Sequence, residues 1–241
     1  CDVVTADSVS EYEDVRVAAL QNGKKLSLIW LNSPSNPTGQ VLSAEQLAAT
    51  VSWARQHGIV VASDECYIEL DWDRKPTSIL HPSVVGNSLD GVLLVNSLSK
   101  RSNIAGYRVG ILAGDSKLVS SILEIRKHAG MIMPTPIQAA AVAAFDDDAH
   151  VQAQKNVYGR RRDIVKSALE SVGFDIEFSN AGLYLWATRH EDCWSSVQWF
   201  AERGILVTPG EFYGAAGQSF VRVALTVTDE RVTAFAQRLT I

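Results

Sequence analysis

The chain has 241 residues, 46% of them hydrophobic and 20% charged, and its 22 basic against 27 acidic side chains leave a formal net charge of −5. Such a composition supports a buried core in one or two domains and excludes collagen-like and disordered classes. It also argues against nucleic-acid or anionic-membrane binding through basic charge, and no apolar run reaches the roughly 18–20 residues of a membrane helix.

Residues 26–31 (LSLIWL) read as a buried strand and 33–39 (SPSNPTG) as a loop. Ser43 reads as a helix N-cap, with Gln46 completing a capping box, and Gly58 ends that helix. Residues 59–62 (IVVA) and 92–95 (VLLV) read as strands that stop at Ser63-Asp64-Glu65 and at Asn96-Ser97-Leu98-Ser99-Lys100, with a fourth strand over 109–113. Nearly continuous apolar runs suit strands covered on both faces, and the helices between them imply an α/β layout around a mainly parallel sheet. Asn36, Asp64 and Lys100 each follow the carboxyl end of a strand, the edge at which open α/β sheets bind ligands.

From about residue 134 the pattern changes. An Ala-rich helix over 136–145 is followed by one that starts near Asp146-Asp147-Asp148 and carries Arg160-Arg161-Arg162. Residues 174–178, 183–187 (LYLWA) and 220–225 (FVRVAL) read as strands, and 197–203 and 229–239 as helices. The division expected is a large domain over 1–150 and a smaller α+β domain over 151–241.

The three cysteines, Cys1, Cys66 and Cys193, form no CxxC pair, so neither a disulfide framework nor a structural zinc site is expected and a reducing cytoplasm fits. The five histidines show no ligand spacing, and no metal is expected. Trp186, Trp194 and Trp199 read as core and interface fillers, and Cys66 as packing.

Three motifs carry chemistry. In Asn32-Ser33-Pro34-Ser35-Asn36-Pro37-Thr38-Gly39 the prolines restrict the loop that holds the Asn36 amide, which can donate and accept; a plain turn before a helix is the alternative. In Asp64-Glu65-Cys66-Tyr67 a carboxylate at a strand end can pair with a cationic ring nitrogen, and Tyr67 can reach an oxygen of the same ring. Metal and nucleotide sites also use such acidic strand ends, but GxxxxGK and GxGxxG are both absent. In Ser97-Leu98-Ser99-Lys100, with Gly106, Arg108 and Gly110 following, a lysine beyond a buried strand suits Schiff-base chemistry, and two hydroxyls with an arginine suit a phosphate. An ordinary exposed lysine is the alternative there.

Together and in this order, the motifs resemble the fold-type I, class I/II aminotransferases, which use pyridoxal phosphate. Residues 97–110 (SLSKRSNIAGYRVG) match that family's lysine-site pattern, and the resemblance runs from about residue 26 to the C-terminus. It implies that Lys100 is the catalytic Schiff-base lysine, that Asp64 pairs with the pyridine nitrogen and that Tyr67 and Asn36 bind the ring oxygen. It further implies that Ser97, Ser99 and Arg108 bind the phosphate, that Arg222 clamps the substrate α-carboxylate and that Asn36 also binds substrate. Tyr213, in the 209–214 loop (PGEFYG), stands near substrate in the same comparison.

Residues 62–67 (ASDECY), 182–189 (GLYLWATR) and 199–207 (WFAERGILV) look like the actinobacterial N-succinyldiaminopimelate aminotransferases. By that resemblance the amino group passes between N-succinyl-LL-diaminopimelate and 2-oxoglutarate/glutamate in lysine biosynthesis. The resemblance implies a cytoplasmic homodimer with small-molecule substrates and no nucleic-acid or membrane partner. The competing readings are an aspartate- or aromatic-type aminotransferase, a C–S β-lyase or decarboxylase on the same cofactor, the aminotransferase-like domain of a transcriptional regulator, and a catalytically dead remnant.

Members of the family extend well over a hundred residues further on the N-terminal side. A start at Cys1 therefore implies an incomplete large domain, with a sheet that lacks early strands and a phosphate site that lacks its glycine-rich turn.

Overall fold

The computed structural model describes residues 3–6 and 8–240; Cys1 lies outside them. The elements in chain order are α1 (Val9–Gln21), β1 (Leu28–Asn32), α2 (Ala44–Gln56), β2 (Val60–Asp64), α3 (Pro82–Val85), β3 (Val92–Ser97), α4 (Leu98–Arg101), β4 (Gly110–Gly114), α5 (Ser116–His128) and α6 (Thr135–Phe145). There follow α7 (Ala149–Ser171), β5 (Asp175–Glu177), β6 (Tyr184–Thr188), α8 (Cys193–Glu202), β7 (Thr208–Pro209), β8 (Phe220–Ala224) and α9 (Asp229–Leu239). Among the described residues two compact units form: those within 3–33, with 42–66 and 76–142, make the first, and 34–41, 67–75 and 143–240 the second.

In the first unit the strand order is β1-β2-β3-β4; β1, β2 and β3 are parallel and β4 runs antiparallel to β3. The parallel part follows from the helices that connect successive strands, whereas the segment 98–109, which carries only α4 and a 3-10 turn, returns the chain beside β3 as the antiparallel β4. The capping box at Ser43 forms: the Ser43 N–H donates to Gln46 Oε1 at 2.8 Å and the Gln46 N–H to Ser43 Oγ at 3.2 Å. Leu47, Val51 and Ala54 recur at helical spacing and are buried against Ile29, Leu31, Val61 and Val92 of the sheet and Val84 and Val85 of α3. Full burial of one such side chain contributes about 1.5–3 kcal/mol.

Covering of both sheet faces, expected from the apolar runs, is not what β1 shows. Ile29 and Leu31 are buried, while Leu28 and Trp30 are 47% and 57% exposed. The period-two pleat sends alternate side chains to opposite faces, and the α2–α3 core covers one of them. Neither α5 nor α6 buries a residue fully, and Leu123, Ile125 and Val142 stay exposed on them.

In the second unit an antiparallel sheet of order β5-β6-β8-β7 lies against α7, α8 and α9. Leu185, Ala187, Val221 and Val223 face Val165, Leu169, Phe200, Val232 and Leu239 in the core. The segment 34–41 joins this unit through Gly39, whose carbonyl accepts the N–H groups of Asn180 and Ala181 at 3.1 Å. The segment 67–75 joins it through Gly182 N–H to the Leu70 carbonyl at 2.8 Å and through Asp73, which Arg162 Nη2 reaches at 2.6 Å. Buried Arg162 also donates to Ser179 Oγ and the Ser179 carbonyl, at 3.0 and 2.9 Å, so it works as a structural tie.

Candidate active site

Asp64 ends β2 and Lys100 lies three residues beyond the end of β3. The two strands are parallel neighbours, with Asp64 paired in register to Val95, so their carboxyl ends lie side by side. Asp64 Oδ1 accepts the Cys66 N–H at 3.1 Å, which orients the carboxylate directly after the strand. The Cys66 thiol is pushed up to about 12, first by burial and then by the charge of Asp64, while the charge of Lys100 acts in the opposite direction. The charges of Asp64 and Lys100 thus act on the same thiol in opposite directions. Among the described residues no hydrogen bond or ion pair holds the half-buried Lys100 ammonium.

Ser97 ends β3 and caps the short helix that carries Lys100. Its Oγ accepts the Ser99 N–H at 3.1 Å and lies 2.9 Å from Ser99 Oγ and 3.0 Å from the Val109 carbonyl oxygen. A hydroxyl has one proton, so the donor of Ser97 is engaged inside this turn. Arg108 is exposed, in the left-handed region at φ 56°, and its Nη1 donates to the Ala105 carbonyl at 2.9 Å.

Asn36, Tyr67 and Arg222 belong to the second unit. Asn36 is half-buried in the segment that Gly39 pins, and Tyr67 is buried at the start of 67–75. Arg222 stands on β8 opposite Trp186 of β6. Its Nη1 donates to Asn36 Oδ1 at 3.3 Å, and its Nε, buried, has no hydrogen-bond partner among the described residues. The structure thus brings Arg222 and Asn36 together. Tyr213 also approaches, with its ring centroid 5.2 Å from the guanidinium carbon, and burial pushes its phenol up. Sequence reasoning missed Tyr184, whose ring lies 4.0 Å from the same carbon. Its two-residue spacing from Trp186 on one strand was the available signal.

Trp194 is no core filler: it is exposed, and its Nε1 donates to Glu211 Oε2 at 2.7 Å. Among the described residues no group of three His, Cys, Asp or Glu gathers as a metal site.

The family model for aminotransferase class I and II matches residues 9–239. The chain belongs to the class I and II aminotransferases. It is 56% identical over 215 residues to the 4-dedimethylamino-4-oxo-anhydrotetracycline transaminase OxyQ of Streptomyces rimosus, covering 89% of this chain and 60% of that protein. It is also 56% identical over 214 residues to the probable aminotransferase Rv1178 of Mycobacterium tuberculosis, covering 89% of this chain and 51% of that one. The chain thus spans between half and three fifths of the length of these relatives. Among solved structures, the N-succinyldiaminopimelate aminotransferase of Mycobacterium tuberculosis superposes with a TM-score of 0.79 at 26% identity, over 89% of this chain and 58% of that one. The fold is that of fold-type I aminotransferases, with part of the large domain present.

Class I and II aminotransferases depend on pyridoxal phosphate. The residues present fit that group chemically. An aldehyde requires an amine without a competing partner, which Lys100 offers. A protonated pyridine nitrogen requires a fixed carboxylate, which Asp64 offers. A carboxylate substrate requires an unsatisfied cationic donor, which Arg222 Nε offers.

Proposed function

We propose that the protein is a pyridoxal-phosphate-dependent aminotransferase that exchanges an amino group between an amino acid and a 2-oxo acid. The observation that carries this reading is the placement of the Asp64 carboxylate and of the unengaged Lys100 amine beyond the carboxyl ends of neighbouring parallel strands. The domain reading goes with it: residues 1–150 as the C-terminal portion of a cofactor-binding domain and 151–241 as a small domain.

In this reading Lys100, Asp64, Tyr67, Asn36, Ser97, Ser99 and Arg108 hold the cofactor. When bound, pyridoxal phosphate supplies an aldehyde that captures amines and a ring that accepts the electrons of the substrate Cα–H bond. Asp64 keeps a proton on the pyridine nitrogen and so keeps that ring electron-poor. Lys100 Nζ takes the proton from substrate Cα as general base and gives it up again as general acid. Tyr67 and Asn36 orient the ring through its oxygen. Arg222 binds the α-carboxylate through a planar, bidentate guanidinium, which fixes the direction of the Cα–H bond.

Addition of pyridoxal phosphate, reduction with borohydride and peptide mapping should place the label on Lys100, and Lys100→Ala should abolish both label and amino transfer. A label elsewhere, or transamination by Lys100→Ala, overturns the reading. Asp64→Asn should slow turnover by at least tenfold while retaining the label.

For the amino substrate we propose N-succinyl-LL-diaminopimelate, with glutamate and 2-oxoglutarate as the second pair, supported by the stretches 182–189 and 199–207. A second reading, a ring ketone as amino acceptor, rests on the 56% identity to the Streptomyces rimosus transaminase. Initial rates with the oxo counterpart of N-succinyl-LL-diaminopimelate and with a ring ketone as acceptors, glutamate being the donor in both, separate them. The whole protein is read as a cytoplasmic homodimer, which sedimentation tests.

A further inference from the structure

The register of β6 against β8 sets Trp186 opposite Arg222 and Tyr184 opposite Ala224. Side chains two apart share a face, so Tyr184, Trp186 and Arg222 lie together on the face turned from the Leu185–Val223 core. There the Arg222 guanidinium carbon stands 4.0 Å from the Tyr184 ring centroid, close enough for a cation–π stack. Tyr184 also meets Tyr67 edge-on, with centroids 6.2 Å apart and planes at 73°. On the other side Tyr213 stands 5.2 Å from the guanidinium and edge-on to Trp186.

Arginine is a long side chain with many rotamers, and no carboxylate of the described residues forms an ion pair with Arg222 to fix it. What fixes it is one hydrogen bond to Asn36 and the aromatic ring beneath it. A ring against the face of a guanidinium leaves its in-plane N–H groups for a ligand. The buried, unpartnered Nε–H is one of those groups. A carboxylate lying in the guanidinium plane would satisfy it together with an Nη.

We propose that Tyr184 is a positioning residue for carboxylate binding: its ring face sets the plane of Arg222, and its T-shaped contact with Tyr67 holds that ring in place. The proposal rests on the reading of Arg222 as the carboxylate site, and the test separates the two. The aromatic face is the operative part, so the phenol oxygen is dispensable.

Binding of 2-oxoglutarate and of pyridoxal phosphate is measured by calorimetry for the native protein and for Tyr184→Phe, Tyr184→Leu and Arg222→Gln, with thermal melts to show that each is folded. Tyr184→Leu should weaken 2-oxoglutarate at least tenfold and leave pyridoxal phosphate affinity within threefold. Tyr184→Phe should restore 2-oxoglutarate affinity to within twofold of native. Arg222→Gln should remove 2-oxoglutarate binding. If Arg222→Gln removes binding and Tyr184→Leu leaves it unchanged, the positioning role is overturned and the Arg222 reading stands. Equal weakening by Tyr184→Phe and Tyr184→Leu overturns the ring-face argument. Native-like binding by Arg222→Gln overturns both readings.

Discussion

Glu65 Oε1 accepts the backbone N–H of Ile79 at 2.6 Å, a bond that links residues fourteen apart in the chain. Both residues are buried in the first unit, while 67–75 between them belong to the second. The bond closes the base of that excursion just beyond the Asp64 strand end.

Burial pushes the Glu65 carboxyl above the usual range, and the Ile79 amide pulls it the other way with less effect. A carboxyl whose folded pKa is raised keeps its proton in the fold where the unfolded chain has lost it. The stability from this source is full below the ordinary glutamate pKa and is lost as pH rises through the folded value. Glu65→Gln keeps an acceptor for Ile79 without the charge, so it should remove this pH dependence and equal or exceed native stability at pH 8. Glu65→Ala leaves the Ile79 N–H unsatisfied and should cost about 1–3 kcal/mol. Urea unfolding at pH 5 and pH 8 measures both, and a Glu65→Gln protein no more stable than Glu65→Ala would refute the argument.

Cys66 reports on the Asp64–Lys100 arrangement without any cofactor. With its thiol pushed up to about 12, only about one part in 10⁴ is thiolate at pH 8. Alkylation by iodoacetamide should therefore be slow. Asp64→Asn removes a charge that raises this pKa and should speed labelling, whereas Lys100→Ala removes one that lowers it and should slow labelling further. Rates that shift in the same direction for both variants would show that the two charges do not oppose each other at the thiol.

Gly39 holds the Asn36 segment by a backbone approach that no other residue permits. Its φ is +73°, and a Cβ there would lie 2.6 Å from the Ala181 carbonyl oxygen. Neither atom can yield without breaking the Gly39 carbonyl's bonds to Asn180 and Ala181. Gly39→Ala should cost about 2 kcal/mol or more through strain at a left-handed position and the clash together. Thermal unfolding checks it, and a change in Tm below 2 °C would argue that the segment moves freely.

The helix from Ser43 was legible because its cap, its apolar spacing and its terminal glycine agree. The strand ends that present Asp64 and Ser97 were legible because apolar runs stop at polar residues. Helix α1 was not, since it buries only Tyr12 fully and its sequence shows no apolar stripe. Helix α5 was overlooked although Asp115 is an N-cap, accepting the N–H groups of Lys117 and Leu118 at 2.8 and 3.2 Å. The union of 34–41 and 67–75 with residues 143–240 rests on partners such as Gly39–Ala181 and Asp73–Arg162, which no local pattern encodes. The stack of Arg222 on Tyr184 depends in the same way on strand register and cannot be read along one segment.

Ser97 and Arg108, both implied as phosphate ligands by the resemblance to the family, should differ in how they act. The Ser97 hydroxyl is taken up by the Ser99 N–H and by the Val109 carbonyl or Ser99 Oγ, so its loss unties the turn that carries Lys100. Ser97→Ala should lower stability by about 1 kcal/mol, as for other lost N-caps, and weaken the reaction of Lys100 with pyridoxal and with pyridoxal phosphate by the same factor. Arg108 is exposed and engages one carbonyl, Ala105. Its replacement by alanine should weaken pyridoxal phosphate by about tenfold, the order expected of a lost charge-assisted hydrogen bond, and leave pyridoxal unchanged. Absorbance titrations with the phosphorylated and unphosphorylated aldehydes measure the two ratios. A Ser97→Ala effect confined to the phosphorylated form would instead make its hydroxyl a direct phosphate donor, released from the turn when the ligand binds.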